Sequence, residues 1–117
     1  MSRDKVLSLI GLATRAGRTV SGEFMTEREV KSGRAILAIV AIDASENTKK
    51  KFRNMCDNYE VPLYFYSSKE DLGHAIGKEF RASLAVLDEG FAKGIQKHIG
   101  SYDAKQSIVE PKEKERP

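Results

Sequence analysis

The chain predicts a three-layer α/β/α sandwich around a mixed four-stranded sheet. Residues 36–42 (ILAIVAI) are apolar on both faces and bounded by Arg34 and Asp43, the pattern of a central strand covered on both sides. A buried helix segment also fits that run, but its β-branched content and charged bounds favour strand. Two more short apolar runs follow, residues 63–66 (LYFY) and 83–87 (SLAVL), and stretches with helical spacing alternate with the strands along the chain.

Taken in order, Ser2 and Asp4 offer a helix start, with Ser2 as N-cap. Val6, Leu9, Ile10 and Ala13 then follow the spacing of one buried face, and Gly17 ends the helix. Residues 18–21 (RTVS) read as a short extended piece before Gly22. Residues 23–32 form a charged helix, with Glu23 and Glu27 early and Arg28 and Lys31 later, as the helix dipole prefers. Gly33 sits where a C-terminal glycine cap belongs.

After the central strand, Asp43 and Ser45 offer caps for a helix over residues 46–59, with Phe52, Met55, Cys56 and Tyr59 as its core stripe. Pro62 stops further helix, and residues 63–66 form a second buried strand. Ser67 or Ser68 caps a short helix with Leu72, Ala75 and Ile76 inward and Gly77 at its end. The 78–81 loop precedes the third core strand, and a last helix over residues 89–99 turns Phe91, Ile95 and Ile99 to one side, weakened locally by Gly94. The domain is expected to span residues 1–100. Residues 101–117, ending in EPKEKERP, read as a charged, disordered tail.

A chain of 117 residues is most simply one domain with a real core. The net charge of +3 is a mild excess, compatible with a basic face for nucleic acid. A single cysteine, Cys56, excludes an intrachain disulfide and suits a reducing cytoplasm. The N-terminal apolar run is short and interrupted by polar residues, so neither a signal peptide nor a membrane span is expected there.

The N-terminus of the 23–32 helix is the first candidate binding surface, because its free N–H groups need partners. Arg28, a turn and a half beyond Gly22, is able to reach a phosphate or a guanine edge; its ordinary role is pairing with a nearby acid. Lys49, Lys50 and Lys51 fall early in the next helix, where cations oppose the dipole. A phosphate ligand reverses the sign of that cost, and a solvated lysine cluster is the alternative. His74 lies between Gly73 and Gly77, followed by Lys78, without the strand–GxxxxGK pattern of a phosphate loop. In the 79–82 loop, Phe80 beside Arg81 suits stacking on an unpaired base, though packing as a satellite core residue is its commoner use.

Signals for catalysis are poor. Cys56 lies on a buried stripe, and His74 and His98 have no evident acid or nucleophile companion. The acids look scattered over solvent faces. No zinc spacing, dinucleotide fingerprint or nucleophile elbow occurs, and no cofactor is expected.

The run SGEFMTEREVKSGRAILAIVAIDAS, the segment SKEDLGHAIG, the stretch DASENTKKK and the close SLAVLDEGFAKGI together resemble the ribosomal L7Ae/L30e family, most of all its small bacterial branch. The resemblance covers residues 3–99. It implies an α/β/α sandwich and a non-enzymatic, cytoplasmic protein that binds structured RNA, kink-turn-like or ribosomal, with association to the ribosome or a translation factor as a further expectation and no membrane partner. In the family a recognition helix starting at a glycine enters the major groove at tandem sheared G·A pairs, and a loop before the last core strand grips unpaired nucleotides. Carried over, the glycine falls on Gly22, the helix lysine on Arg28, a second lysine on His74, and the gripping loop on Glu79, Phe80, Arg81 and Ala82. The family's Asn-Glu pair falls on Phe24 and Met25, which offer no hydrogen bond to a base edge. The expected RNA surface is therefore Gly22, Glu23, Phe24, Met25, Arg28, Lys49, Lys50, Lys51, His74, Lys78 and the 79–82 loop. A protein–protein adaptor on the same fold, or an accessory factor in RNA modification, is the alternative.

Overall fold

The structure is a computed structural model that describes the backbone of residues 4–103 and the side chains of residues 4–99. The elements run α1 (Lys5–Arg15), β1 (Thr19–Ser21), α2 (Glu23–Ser32), β2 (Leu37–Val40), α3 (Glu46–Tyr59), β3 (Leu63–Phe65), α4 (Lys69–Ala75), β4 (Ser83–Val86) and α5 (Glu89–Asp103). The sheet order is β1-β4-β2-β3. β4 is antiparallel to both β1 and β2, and β2 is parallel to β3. Helices α2 and α3 pack together on one face, and α1 packs with α4 and α5 on the other. The expected mixed sandwich is the one observed.

The two middle strands are buried along their whole length, as their unbroken apolar runs require. Phe52 of α3 is fully buried against this core, a side chain whose burial stabilises by about 1.5–3 kcal/mol. Two glycines let the helices of the other face approach closely. A β-carbon at Gly11 would stand 3.1 Å from the Ala75 carbonyl oxygen, and one at Gly94 would stand 3.3 Å from Leu9 Cδ1. At Gly94 the neighbour is the tip of a flexible side chain, and α5 runs through this glycine without a break.

Several boundaries and caps differ from expectation. Asp4 caps α1, accepting from the Leu7 amide at 2.9 Å; Ser2 lies outside the described residues. Ser45 caps α3. Asp43 instead accepts from the Lys69 amide at 2.9 Å and so holds the start of α4 to the end of β2. Ser68, not Ser67, caps α4. Tyr59 is 45% exposed rather than part of the α3 stripe, because α3 turns its last residue away from the sheet. β3 is half-buried, as an edge strand with neighbours on one side only. Gly100 does not stop α5, which runs on to Asp103, a tolerance that costs about 1 kcal/mol at a helical glycine. The expected tail from residue 104 onward lies outside the described residues.

Register decides where the loops meet. Ser21 pairs with Leu84, and Val40 pairs with both Ser83 and Phe65. The ends of β1, β2 and β3 and the start of β4 thus share one end of the sheet. α2, α3 and α4 all begin there, and the 78–82 loop crosses it.

Candidate functional site

The site grows from Gly22. Its φ of 90° lies in the region that glycine alone enters without strain, and it places α2 directly after β1. Its own amide is not free, because it donates to the Ser83 carbonyl at 2.9 Å. The Gly22 carbonyl accepts from Thr26, closing the first helical turn. No side chain caps this helix. The amides that α2 leaves for a ligand are therefore those of Glu23, Phe24 and Met25.

The same hydrogen bond joins α2 to the 79–82 loop. Arg81 turns its guanidinium back, donating from Nε to Ser21 Oγ at 3.0 Å and from Nη1 to the Phe80 carbonyl at 2.8 Å. Its amide donates to the Lys69 carbonyl at 3.0 Å. Ala82 accepts from the Ala41 amide at 2.9 Å. Lys78 donates its amide to the Gly73 carbonyl at 2.8 Å, and the Glu79–Phe80 peptide lies directly on Gly73. Gly73 is a positioning residue that sequence reading passed over. Its place in the LGHAIG segment is local, whereas the peptide against it comes from the fold. Phe80 itself is 55% exposed, so the satellite-core reading of it is wrong: the loop is held by its backbone, which frees the ring. His74 and Lys78 are exposed on the α4 side of the loop.

On α2, Phe24 is 72% exposed and Met25 half-buried. Arg28 has 54% of its side chain exposed and lies 3.4 Å from Glu29. Glu29 corrects the view that acids occupy only solvent faces: its side chain is 1% exposed. Arg34 clamps it with Nε and Nη2 at 2.7 and 2.8 Å, and Ser32 donates to its carbonyl. Arg34 foremost, with Arg28 adding, holds the Glu29 carboxyl below the usual range. Glu29 is thus a structural acid at the α2–β2 turn, held closely by Arg34 and more loosely by Arg28, whose pairing with a nearby acid is the ordinary role expected of it.

The lysine run divides. Lys51 Nζ lies 2.8 Å from both Glu23 and Glu27, and Lys31 lies 2.8 Å from Glu27. Lys31 first, then Lys51, pull the Glu27 carboxyl down to about 2. Lys49 is mostly covered and 3.6 Å from Glu46. Lys50 is exposed. Lys51 therefore joins α3 to the first turns of α2, and Lys50 faces solvent near the site. Cys56 is buried, which pushes its thiol up to about 11 and leaves it protonated at neutral pH. Among the described residues, no cluster of His, Cys, Asp and Glu is arranged to hold a metal, and no helix is long and apolar enough to cross a membrane.

Comparison with known proteins agrees with this architecture. The chain is 45% identical over 92 residues to the RNA-binding protein YlxQ of Bacillus subtilis (strain 168), covering 79% of this chain and 92% of that one. It is 42% identical over 92 residues to RNA-binding protein YlxQ of Enterococcus faecium, covering 79% and 88%. A Bacillus halodurans protein described as of unknown function superposes with a TM-score of 0.80 at 37% identity, over 83% of this chain and 98% of that one. The Giardia lamblia 15.5kD RNA binding protein shares the fold, with a TM-score of 0.72 at 21% identity over 86% of each chain. The family model that matches residues 4–96 is that of the ribosomal protein L7Ae/L30e/S12e/Gadd45 family, and this chain belongs to that family.

Proposed function

We propose that this protein is a non-enzymatic, cytoplasmic RNA-binding protein that docks structured RNA, kink-turn-like or ribosomal, on the sheet end where α2 begins. The observation that carries the reading is the 2.9 Å hydrogen bond from Gly22 to Ser83, which keeps the start of α2 and the 79–82 loop on one surface. Two relatives above 40% identity are named RNA-binding proteins, which supports the same reading.

In this mechanism the first-turn amides of α2 meet phosphate oxygens, helped by the positive end of the helix dipole. Arg28 adds a charge-assisted bond to a phosphate or a guanine edge. Lys50 and Lys78 release counterions. The 79–82 loop offers the exposed Phe80 ring to unpaired nucleotides, and Arg81 fixes the loop through Ser21 and the Phe80 carbonyl. His74 lines a separate groove between α1 and α4, with Leu7, Ser8 and Asp71.

The exposed apolar group Phe24, Ile42 and Phe80 favours the second reading, a protein adaptor. Titration of the full chain with a kink-turn RNA across a range of salt separates the two. RNA binding gives a steep fall in affinity with salt, whereas an apolar protein contact gives a shallow one. Failure to bind any folded RNA at low salt removes the first reading.

A further inference from the structure

We infer that Lys51 is a positioning residue for the RNA surface: it holds the Glu23 carboxylate towards α3 and neutralises it, so that the first turn of α2 is able to take a phosphate. The inference rests on the RNA-binding reading above and names a residue that sets the affinity of that same surface without touching RNA.

Glu23, Glu27 and Lys31 follow one another at four-residue spacing along α2, so they form one stripe of that helix. Lys51 reaches the stripe from α3, with Nζ 2.8 Å from Glu23 Oε2 and 2.8 Å from Glu27 Oε1. Lys31 Nζ lies 2.8 Å from Glu27 Oε2. Two acids thus meet two lysines, and the group is neutral. The acids differ in what they keep without Lys51. Glu27 retains Lys31. Glu23 has no second ion pair among the described residues, and more than half of its side chain is exposed.

Glu23 is also the acid in the first turn of α2, where no side chain caps the helix. A carboxylate there favours the helix itself, because it meets the positive end of the dipole. It disfavours a phosphate, which needs the same amides and carries the same sign of charge. Lys51 resolves the conflict. Its ammonium cancels the charge, and its bond draws the carboxylate across to α3. The neighbouring lysines do not serve in its place. Lys49 is mostly covered beside Glu46, and Lys50 turns to solvent.

The test uses the full chain and a kink-turn RNA, titrated at one low salt concentration. Lys51→Met should weaken binding by about 2- to 5-fold, the 0.3–1 kcal/mol of one charge at a helix N-terminus converted at about 1.4 kcal/mol per decade. Lys51→Arg should retain binding, and Glu23→Gln should bind at least as tightly as the wild type. In the Glu23→Gln background, Lys51→Met should cost nothing measurable. The ion pair is absent from Lys51→Met and from the double variant alike, so recovery in the double variant reads the Glu23 charge and not the packing of α2 on α3. Wild-type affinity in Lys51→Met overturns the inference. Equal losses in both backgrounds also overturn it, because Lys51 is then a direct RNA contact or a plain helix tie. A loss in Glu23→Gln overturns it too, because Glu23 is then an RNA contact itself. These three outcomes leave RNA binding intact. Absence of binding by the wild type overturns the RNA-binding reading itself, and this inference with it.

Discussion

The α-carbon of Gly73 lies against the peptide of Glu79 so closely that a β-carbon there would stand 2.7 Å from the Glu79 carbonyl carbon and oxygen. Backbone, unlike a side-chain tip, does not swing aside. Gly73→Ala gains about 1 kcal/mol of helix propensity but meets an overpacking cost of about 1–3 kcal/mol, so a net loss of stability and a displaced 79–82 loop are expected. Gly94→Ala meets only Leu9 Cδ1 at 3.3 Å, which is able to turn, so its melting temperature should equal or exceed the wild type's. Thermal melts of the two variants check the contrast; a Gly73→Ala protein as stable as wild type shows that the loop is not fixed by this contact.

The ion pairs between α2 and α3 set an acid limit. The Glu27 carboxyl, held at about 2 against an ordinary 4.5, contributes stability that is fully present above 4.5 and is lost as pH falls towards 2. Lys51→Met removes one of its two lysine partners. Carboxylate NMR titration should then find the Glu27 midpoint raised, and acid unfolding should begin at higher pH. An unmoved midpoint would mean that Lys31 alone holds the charge.

Arg28 and Glu29 are neighbours with opposite assignments. Arg28→Gln should leave melting within about 0.5 kcal/mol of wild type. It should also lower RNA affinity, with the salt slope reduced by about one. Glu29→Ala should lower the melting temperature clearly, since it empties a buried position and releases Arg34 and Ser32. Parallel melts and RNA titrations decide the matter; reversed outcomes exchange the two roles.

On the proposed RNA surface, Phe24 is exposed and Met25 half-buried, and neither offers a hydrogen bond to a base edge. The double change Phe24→Asn and Met25→Glu should strengthen binding to a standard kink-turn RNA by about one to two decades, the worth of a partner for one buried polar edge at about 1–3 kcal/mol. Titrations of both proteins against the same RNA at one salt concentration make the comparison. Equal affinities would take these two side chains out of the interface.

Thr26 is fully buried, and its hydroxyl has no hydrogen-bond partner. Thr26→Val keeps the shape and removes the desolvated group, so the variant should melt above the wild type, by an amount on the order of 1 kcal/mol. A lower melting temperature would show that the hydroxyl is bonded in solution.

What the sequence by itself determined is the set of elements and their order. Helical spacing put Val6, Ile10 and Ala13 on one buried face and Phe52, Met55 and Cys56 on another, and the ILAIVAI run marked the middle of the sheet. Gly33, at φ 85°, ends α2 where its position said it would. These are local properties, carried by residues a few positions apart. Tertiary structure decided everything that depends on distant partners. Asp43 serves a helix that starts 26 residues later. Lys51 joins acids 28 and 24 residues earlier, which turned part of a candidate phosphate cluster into a helix–helix tie. Glu29 looked like one more surface acid until Arg34 folded over it. The start of α2 and the 79–82 loop, some 60 residues apart, became one surface through the β1–β4 register, because strand pairing alone fixes which chain ends lie side by side.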